Sequence, residues 1–482
     1  MPTTPTDVQV PATVPVLPGT AVSARYLLTR TAPINRGDTL EAYRLDDGRV
    51  AAMVADVVGH GFAAAIAATQ VRTVLRERLT SGADLGEAVA ALDRFARGTP
   101  DLAAATLTAV VLDPVRSTVE YVAAGHPPPV RWSDRDQPAC LEGARCPPLG
   151  SGGPVTTATA PAGLSTSLLL HSDGLTAGGP AGSDPISRIV AATDSLRGTP
   201  RDAVSYGDEL CDQLLDPPAE GAAAYPDDVA LLLLRRVRAP EPLDLRLAAD
   251  VTSVAAVRRH LSTWLEDLGA GLSDQVALCH AAGELASNVV EHAYADSAAP
   301  SSRVLDLRAW LEPGGRAVVE IADGGRWVRT GTPGRGLLLA AALVDDIRMH
   351  SSEAGSIVEL CQELHRPVPF LQAGSGPADV GHLDTGEDLH LDTTPGRLVA
   401  VGAVDDVNAE MFEAGLREAT RTGTVEAVID LSGLTLLASP GVQALLDLIG
   451  RSRRSGSPLR LIAELGSPAD QVLRLIDVPH QV

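Results

Sequence analysis

The chain has no lysine: all 39 of its Lys-or-Arg positions are arginine. This reads as a GC-rich coding bias, and it excludes a Walker-type phosphate loop, whose chemistry requires the lysine. Basic stripes are missing too, and the formal net charge is −22, so counterion release onto nucleic acid has no surface to act through. Cysteines are few: Cys140, Cys146, Cys211, Cys279 and Cys361 are odd in number and scattered, apart from a loose Cys140/Cys146 spacing. They read as reduced thiols rather than a disulfide framework. No apolar run approaches the roughly 20 residues that a membrane-spanning helix needs. The Pro/Thr/Val-rich N-terminus has no basic segment ahead of an apolar one, so residues 1–20 are expected to be a disordered lead-in. These absences predict a cytoplasmic protein without nucleic-acid or membrane partners.

What is present is enough chain, 482 residues, for roughly three domains. The first is organised around Met53-Val-Ala-Asp-Val-Val-Gly-His-Gly-Phe-Ala-Ala-Ala. An apolar run ends at Asp56, a turn follows at Gly59-His60-Gly61, and an Ala-rich helical pattern runs on toward Leu79. On its own, this is either an ordinary strand-turn-helix with a solvated Asp or a carboxylate that holds a cation. Strands are predicted at Val22–Leu28, Glu41–Leu45, Ala105–Leu112, Thr118–Ala123, Ser167–His171 and Val229–Leu234, with helices near 62–80 and 86–97. Asp38, Asp56, Asp173 and Asp227 all stand at strand ends, so they could converge at one edge of a sheet. Oxygen-only donors suit Mg²⁺ or Mn²⁺ rather than zinc. Two such ions roughly 4 Å apart deprotonate a bridging water that can attack phosphorus in line.

Arg36-Gly-Asp, Ala55-Asp-Val-Val-Gly-His-Gly, Ala124-Gly-His-Pro-Pro-Pro, His171-Ser-Asp-Gly-Leu-Thr and Pro226-Asp-Asp-Val-Ala-Leu-Leu, in that order, resemble the motif series of the SpoIIE-like branch of the PPM metal-dependent serine/threonine phosphatases. The resemblance implies a β-sandwich flanked by helices over residues 21–237. It also implies metal ligation by Asp38, Asp56, Asp173, Asp227 and the main-chain carbonyl of Val57. The usual Gly-Gly-Asp is Arg36-Gly37-Asp38 here, a following Asp is Glu41, and the aromatic pair between them is Thr39-Leu40. These departures fall on the expected substrate-facing rim. His60 is a candidate general acid or a turn residue capping local carbonyls. His126 reads as structural.

After a Pro-containing joint at 238–243, apolar residues from Val254 to Leu268 recur at helical spacing. A second helix, with Ser273 as expected N-cap, carries Glu284, Asn288 and His292 on one face. Asp323-Gly-Gly-Arg-Trp follows a strand, and Gly334-Arg-Gly-Leu-Leu-Leu precedes a helical run. Together these segments resemble the ATP-binding boxes of the GHKL (Bergerat) fold, specifically the anti-sigma-factor serine kinases, over residues 244–366. The resemblance implies an α/β sandwich that binds ATP with Mg²⁺. Glu284 would orient or deprotonate a serine hydroxyl, Asn288 would hold Mg²⁺, and Asp323 would accept from the adenine amino group. Gly325, Gly334 and Gly336 would let the backbone approach the nucleotide. Trp327 stands where relatives have a second glycine.

Residues 367–387 have linker composition, and residues 388–482 form a third unit. In it, Ser439-Pro440 reads as a helix N-cap followed by Pro at the first helical position. The segment Ile429-Asp-Leu-Ser-Gly-Leu-Thr-Leu-Leu-Ala-Ser-Pro-Gly-Val resembles the phospho-acceptor loop of the small α/β STAS domains, the anti-sigma-factor antagonists, with Ser439 at the acceptor position. A phosphate there would add about −2 charge at the helix start. Ala438 and Pro440 depart from the family pattern.

The expected whole is an α+β and α/β multidomain protein with the parts of a bacterial partner-switching circuit. A metal-dependent phosphatase would dephosphorylate a phosphoserine STAS antagonist, its own or a separate one, with an anti-sigma or sigma factor as further partner and homodimerisation left open. A regulatory scaffold that sequesters partners is the second reading, and an anti-sigma serine kinase with a vestigial phosphatase is the third.

Overall fold

The computed structural model describes residues 13–28, 37–59, 61–177, 185–197, 202–215, 225, 227–294, 303–325, 335–352, 355–372, 389–404, 408–421, 425–437, 439–465, 467–475 and 478–481. The chain divides into two compact units, one built on residues 1–240 with 313–315 and 365–379, the other on 241–312, 316–364 and 380–482. Among the described residues, no helix is long and apolar enough to cross a membrane.

The first unit runs β1 (Thr13–Pro15), β2 (Thr20–Leu28), β3 (Thr39–Arg44), β4 (Val50–Asp56), α1 (Phe62–Thr80), α2 (Leu85–Arg97), β5 (Thr106–Asp113), β6 (Thr118–Ala124), β7 (Val130–Trp132), β8 (Ala139–Cys140), β9 (Arg145–Cys146), β10 (Ala158–Pro161), β11 (Ser167–His171), α3 (Asp173–Ala177), α4 (Pro185–Ser195), α5 (Ala203–Leu215) and β12 (Val229–Arg236). One sheet has the order β10-β6-β5-β4-β3, with β9 beside β6, and the other carries β2-β12-β11-β7-β8. Their inner faces share a core: Val50, Ala52 and Val54 of β4 meet Ala230, Leu232 and Leu234 of β12. The alternate residues of β4, Ala51, Met53 and Ala55, pack under α1 and α2. Val229, Leu231 and Leu233 of β12 pack under α4 and α5. Both strands are therefore apolar on both faces, which is why they read as unbroken apolar runs. Each such buried Val or Leu contributes about 1.5–3 kcal/mol.

Two stretches depart from expectation. Thr13–Pro15, inside the expected disordered lead-in, is a strand, because Val14 and Leu17 are buried in the inter-sheet core. The expected linker from 367 opens with structure: after the last strand of the ATPase-like region, β18 (His365–Pro367) pairs antiparallel with β1, and β19 (Phe370–Gln372) pairs parallel with β2. Val368 between them is 3 % exposed and joins the same core. This strap covers the edge of β2 that would otherwise be open. Its backbone therefore belongs to the phosphatase-like sheet.

The second unit begins with β13 (Leu243–Ala248), α6 (Val251–Asp267), α7 (Leu272–Asn288), β14 (Val304–Leu311), β15 (Arg316–Asp323), α8 (Arg335–Leu343), β16 (Asp346–Ser352) and β17 (Gly355–Glu363). Its strands form an antiparallel sheet in the order β13-β14-β15-β17-β16. The expected apolar stripe of α6 is buried, and Asp250 with Ser253 makes a capping box at its start. α7 starts two residues earlier than expected: its N-cap is Gly271, and Ser273 lies within the first turn. The remaining elements are β20 (His390–Thr394), β21 (Arg397–Val404), α9 (Ala409–Thr420), β22 (Ala427–Leu437), α10 (Ser439–Ser455), β23 (Leu459–Ile462) and α11 (Pro468–Leu475). They give a four-stranded sheet, β20-β21-β22-β23, whose β21-β22-β23 portion is parallel, with its own helix-covered core.

Candidate functional site

In the first unit the strand ends bring four carboxylates into one electrostatic neighbourhood. Burial, and then the charges of Asp56, Asp173 and Asp227, hold the Asp38 carboxyl well above the usual carboxylate range, while a hydrogen bond from Ser172 opposes the shift. Asp56 closes β4, Asp173 opens α3, and Asp227 precedes β12. The Val57 carbonyl belongs to the same corner. The Val57 N–H donates to Gly37 O at 3.2 Å, and a Cβ on Gly37 would stand 1.8 Å from Val57 O, so only glycine lets the turn ahead of Asp38 close on that carbonyl.

Among the described residues, no group of three or more Asp, Glu, His or Cys side chains is drawn tight enough to grip an ion as it stands. Like-charged carboxylates resist close approach, and a divalent cation would offset that repulsion. An all-oxygen donor set of Asp38, Asp56, Asp173, Asp227 and the Val57 carbonyl fits Mg²⁺ or Mn²⁺ by its chemistry.

Ser172 is the residue that sequence reasoning passed over. It is fully buried, accepts from Ala230 N–H at 3.0 Å and hydrogen-bonds Asp38, so it ties β12 to the carboxylate cluster. Its sequence signal is its place inside the His171-Ser-Asp-Gly-Leu-Thr motif, directly before Asp173. His126 is structural: Thr106 Oγ1 lies 2.7 Å from its Nδ1, and burial with the nearby His171 pushes its pKa down to about 3. His60 and Arg36 lie outside the described residues.

The departures at 39–41 face inward. Thr39 and Leu40 are buried, and Glu41 pairs with Arg76 of α1 at 2.8 Å, whose guanidinium also lies over the Tyr43 ring. Leu40 joins the inter-sheet core and Glu41 ties β3 to α1, so these positions do not form a rim. Beside Asp56 the surface is apolar instead, with Val58 at 68 % and Phe62 at 64 % exposure.

In the second unit, Glu284 sits on α7, only 7 % exposed, and Asn288 ends that helix. Beyond it, residues Val289–Ala293 widen into a π-helix, so His292 leaves the expected stripe and lies exposed beside Glu291 at 3.7 Å. The turn after β15 closes on this end of the helix. A Cβ on Gly325 would stand 2.1 Å from Ala293 O, and Gly325 N–H donates to Asp323 Oδ1 at 2.8 Å. Burial raises the Asp323 pKa, opposed by the Gly325 and Ser356 amides. Tyr294, also unanticipated, pins the corner: its hydroxyl donates to Val304 O at 2.7 Å and accepts from Gly324 N–H at 3.0 Å. Gly336 lies in α8, whereas Gly334 and Trp327 lie outside the described residues.

Ser439 is the first residue of α10. Two residues earlier, Leu437 N–H donates to His280 Nε2 at 3.3 Å, and His280 sits on α7 one turn before Glu284. Burial and the Arg258 charge push the His280 pKa down to about 3, which keeps it a neutral acceptor. All five cysteines are free thiols.

The family described as Stage II sporulation protein E (SpoIIE) matches residues 46–237, and the histidine kinase-like ATPase domain family matches residues 247–362. The crystal structure of the RsbU and RsbW domains of Rv1364c from Mycobacterium tuberculosis aligns with a TM-score of 0.65 at 31% identity, covering 75% of this chain and 98% of that one. The phosphoserine phosphatase RsbP of Bacillus subtilis (strain 168) is 30% identical over 119 residues, and the match spans 24% of this chain and 29% of that protein.

Proposed function

The chain belongs to the SpoIIE-type phosphatases that carry a histidine kinase-like ATPase domain, and from that premise we propose that residues 21–237 are a metal-dependent protein serine/threonine phosphatase that dephosphorylates a phosphoserine STAS antagonist in a partner-switching circuit controlling a sigma factor. The observation that supports this reading is the placement of Asp56, Asp173 and Asp227 at element ends where their charges act on the buried Asp38 carboxyl. Two bound divalent ions, Mn²⁺ or Mg²⁺, would supply a deprotonated water and neutralise the phosphate.

The chain's own residues do the rest. Asp38, Asp56, Asp173, Asp227 and the Val57 carbonyl hold the ions, Ser172 and Gly37 keep two of these donors in place, and His60 serves as general acid to the leaving serine. The exposed apolar rim of Val58 and Phe62 suits a protein substrate, since such a patch favours contact with a folded partner.

Residues 244–366 bind ATP with Mg²⁺ in this proposal. Asn288 holds the ion, Asp323 accepts from the adenine amino group, Gly325, Gly334 and Gly336 border the nucleotide, and Glu284 orients a serine hydroxyl. Residues 388–482 supply a STAS-type domain with Ser439 as its acceptor. The bond from Leu437 to His280 supports this pairing of parts, because it places the start of α10 beside the helix that carries Glu284.

Hydrolysis of p-nitrophenyl phosphate by the purified chain, with Mn²⁺, with EDTA and with Asp56→Ala, tests the reading. Mn²⁺-dependent turnover that the substitution abolishes is expected. Absent turnover together with absent metal binding would overturn the phosphatase and leave a sequestering scaffold.

A further inference from the structure

The segment that follows the ATPase-like domain does more than close a sheet. Phe370 sits opposite Tyr26 in the β19–β2 ladder, and their rings stack at 5.3 Å with an interplanar angle of 8°. Tyr26 N–H donates to Pro369 O at 3.1 Å. The Tyr26 hydroxyl, buried, reaches across to the other sheet and accepts from Leu40 N–H at 3.0 Å. β3 is an edge strand, so that amide has a side-chain partner where an inner strand would have a backbone one. Leu40 lies two residues from Asp38, and the Asp38 charge is felt at the Tyr26 hydroxyl.

The strap is anchored just ahead of this contact. Arg366 donates to Val22 O and to Asp208 Oδ2, each at 2.6 Å, and Asp208 also pairs with Arg25 at 3.2 Å. Val368 fills the inter-sheet core.

We propose that Tyr26 and Phe370 are positioning residues for Asp38, so that the phosphatase metal site is completed by residues from beyond the ATPase-like domain. Phe370 fixes the plane of the Tyr26 ring by stacking on it, and the hydroxyl fixes the Leu40 amide and with it the start of β3. Asp38 is thereby held at one place relative to Asp56, since Thr39 pairs with Ala55 in the same ladder. The proposal rests on the metal-centre reading above.

The test uses the full chain and the variants Tyr26→Phe, Phe370→Ala and Phe370→Tyr. Mn²⁺ affinity is measured by calorimetric titration, and protection of the Leu40 amide by hydrogen exchange. Tyr26→Phe and Phe370→Ala should each weaken Mn²⁺ binding about 10-fold, the usual cost of removing a group that orients a metal ligand. Both should speed exchange at Leu40, while Phe370→Tyr, which keeps the ring, should restore parental values. Unchanged Mn²⁺ affinity in both variants, against a parent chain that binds, would overturn the proposal and leave the metal centre standing. Unchanged Leu40 protection would overturn it as well. A parent chain that binds no Mn²⁺ would remove the metal centre and the proposal together.

Discussion

Two carboxyl groups, Asp38 in the first unit and Asp323 in the second, are both held above their ordinary pKa, for different reasons. At Asp38, burial is reinforced by three other carboxylates. At Asp323, burial acts without a neighbouring acid, and two backbone amides oppose it. A carboxylate crowded by like charges is relieved by a cation, whereas a half-desolvated carboxylate served by N–H donors is relieved by one donor more. The same direction of shift therefore fits the proposed metal site in one unit and, in the other, the proposed contact with a neutral hydrogen-bonding ligand such as the adenine amino group.

The largest expected effect comes from removing a carboxylate at the crowded end: Asp56→Ala should reduce Mn²⁺-dependent p-nitrophenyl phosphate turnover to the level seen with EDTA. The contrast itself is sharpened by exchanging the perturbation. Asp38→Asn should weaken Mn²⁺ binding by about 10-fold or more and leave binding of a fluorescent ATP analogue alone. Asp323→Asn should weaken the nucleotide roughly 10–100-fold, the loss of a charged hydrogen bond, and leave Mn²⁺ at the phosphatase site unaffected. If both ligands respond to both substitutions, the two sites are not separate in kind.

Ser172→Ala should lie below these in size. It strips a hydrogen bond from Asp38 and leaves the buried Ala230 N–H unpaired, at about 1–3 kcal/mol, which calorimetry should register as a lower melting temperature of the first unit. An effect of similar size, seen only on acidification, extends the comparison to the buried histidines, His126 in one unit and His280 in the other, each pushed down to about 3. Below pH 6.5 the unfolded chain takes up protons that the folded chain refuses, so stability is full at neutral pH and declines as pH falls from 6.5 toward 3. At pH 5 the loss is about 2 kcal/mol per histidine. Urea unfolding at pH 7 and pH 5 checks this, and His126→Gln should reduce the dependence of the first unit, the part due to buried His171 remaining, while leaving that of the second.

Much of the first unit was legible because its strands are apolar on both faces. The runs at Val50–Asp56 and Val229–Arg236 needed no partner to be read as strands, and the Asp residues at their ends advertised the cluster. What escaped depended on partners far away in the chain. Val14 pairs with Arg366, and nothing local in a Pro-rich segment announces a strand whose mate is hundreds of residues distant. Residues 39–41 looked like an altered rim because position within a motif does not tell which side of a strand faces solvent; the burial of Leu40 and the Arg76 partner of Glu41 did. His292 kept helical spacing in sequence and lost its face to a local widening of the backbone, and Gly271 displaced Ser273 as cap. These outcomes are set by competition between neighbouring turns of helix.

The strap also fixes an order of events at the ribosome. The sheet built on β2 cannot be completed when residue 240 emerges, because β18 and β19 lie on the far side of residues 241–364. At about 5–20 residues per second, that intervening stretch takes on the order of ten seconds to synthesise. For that interval the β2 edge waits unpaired, and the nascent phosphatase-like unit must be shielded from edge-to-edge association with its neighbours on the same message.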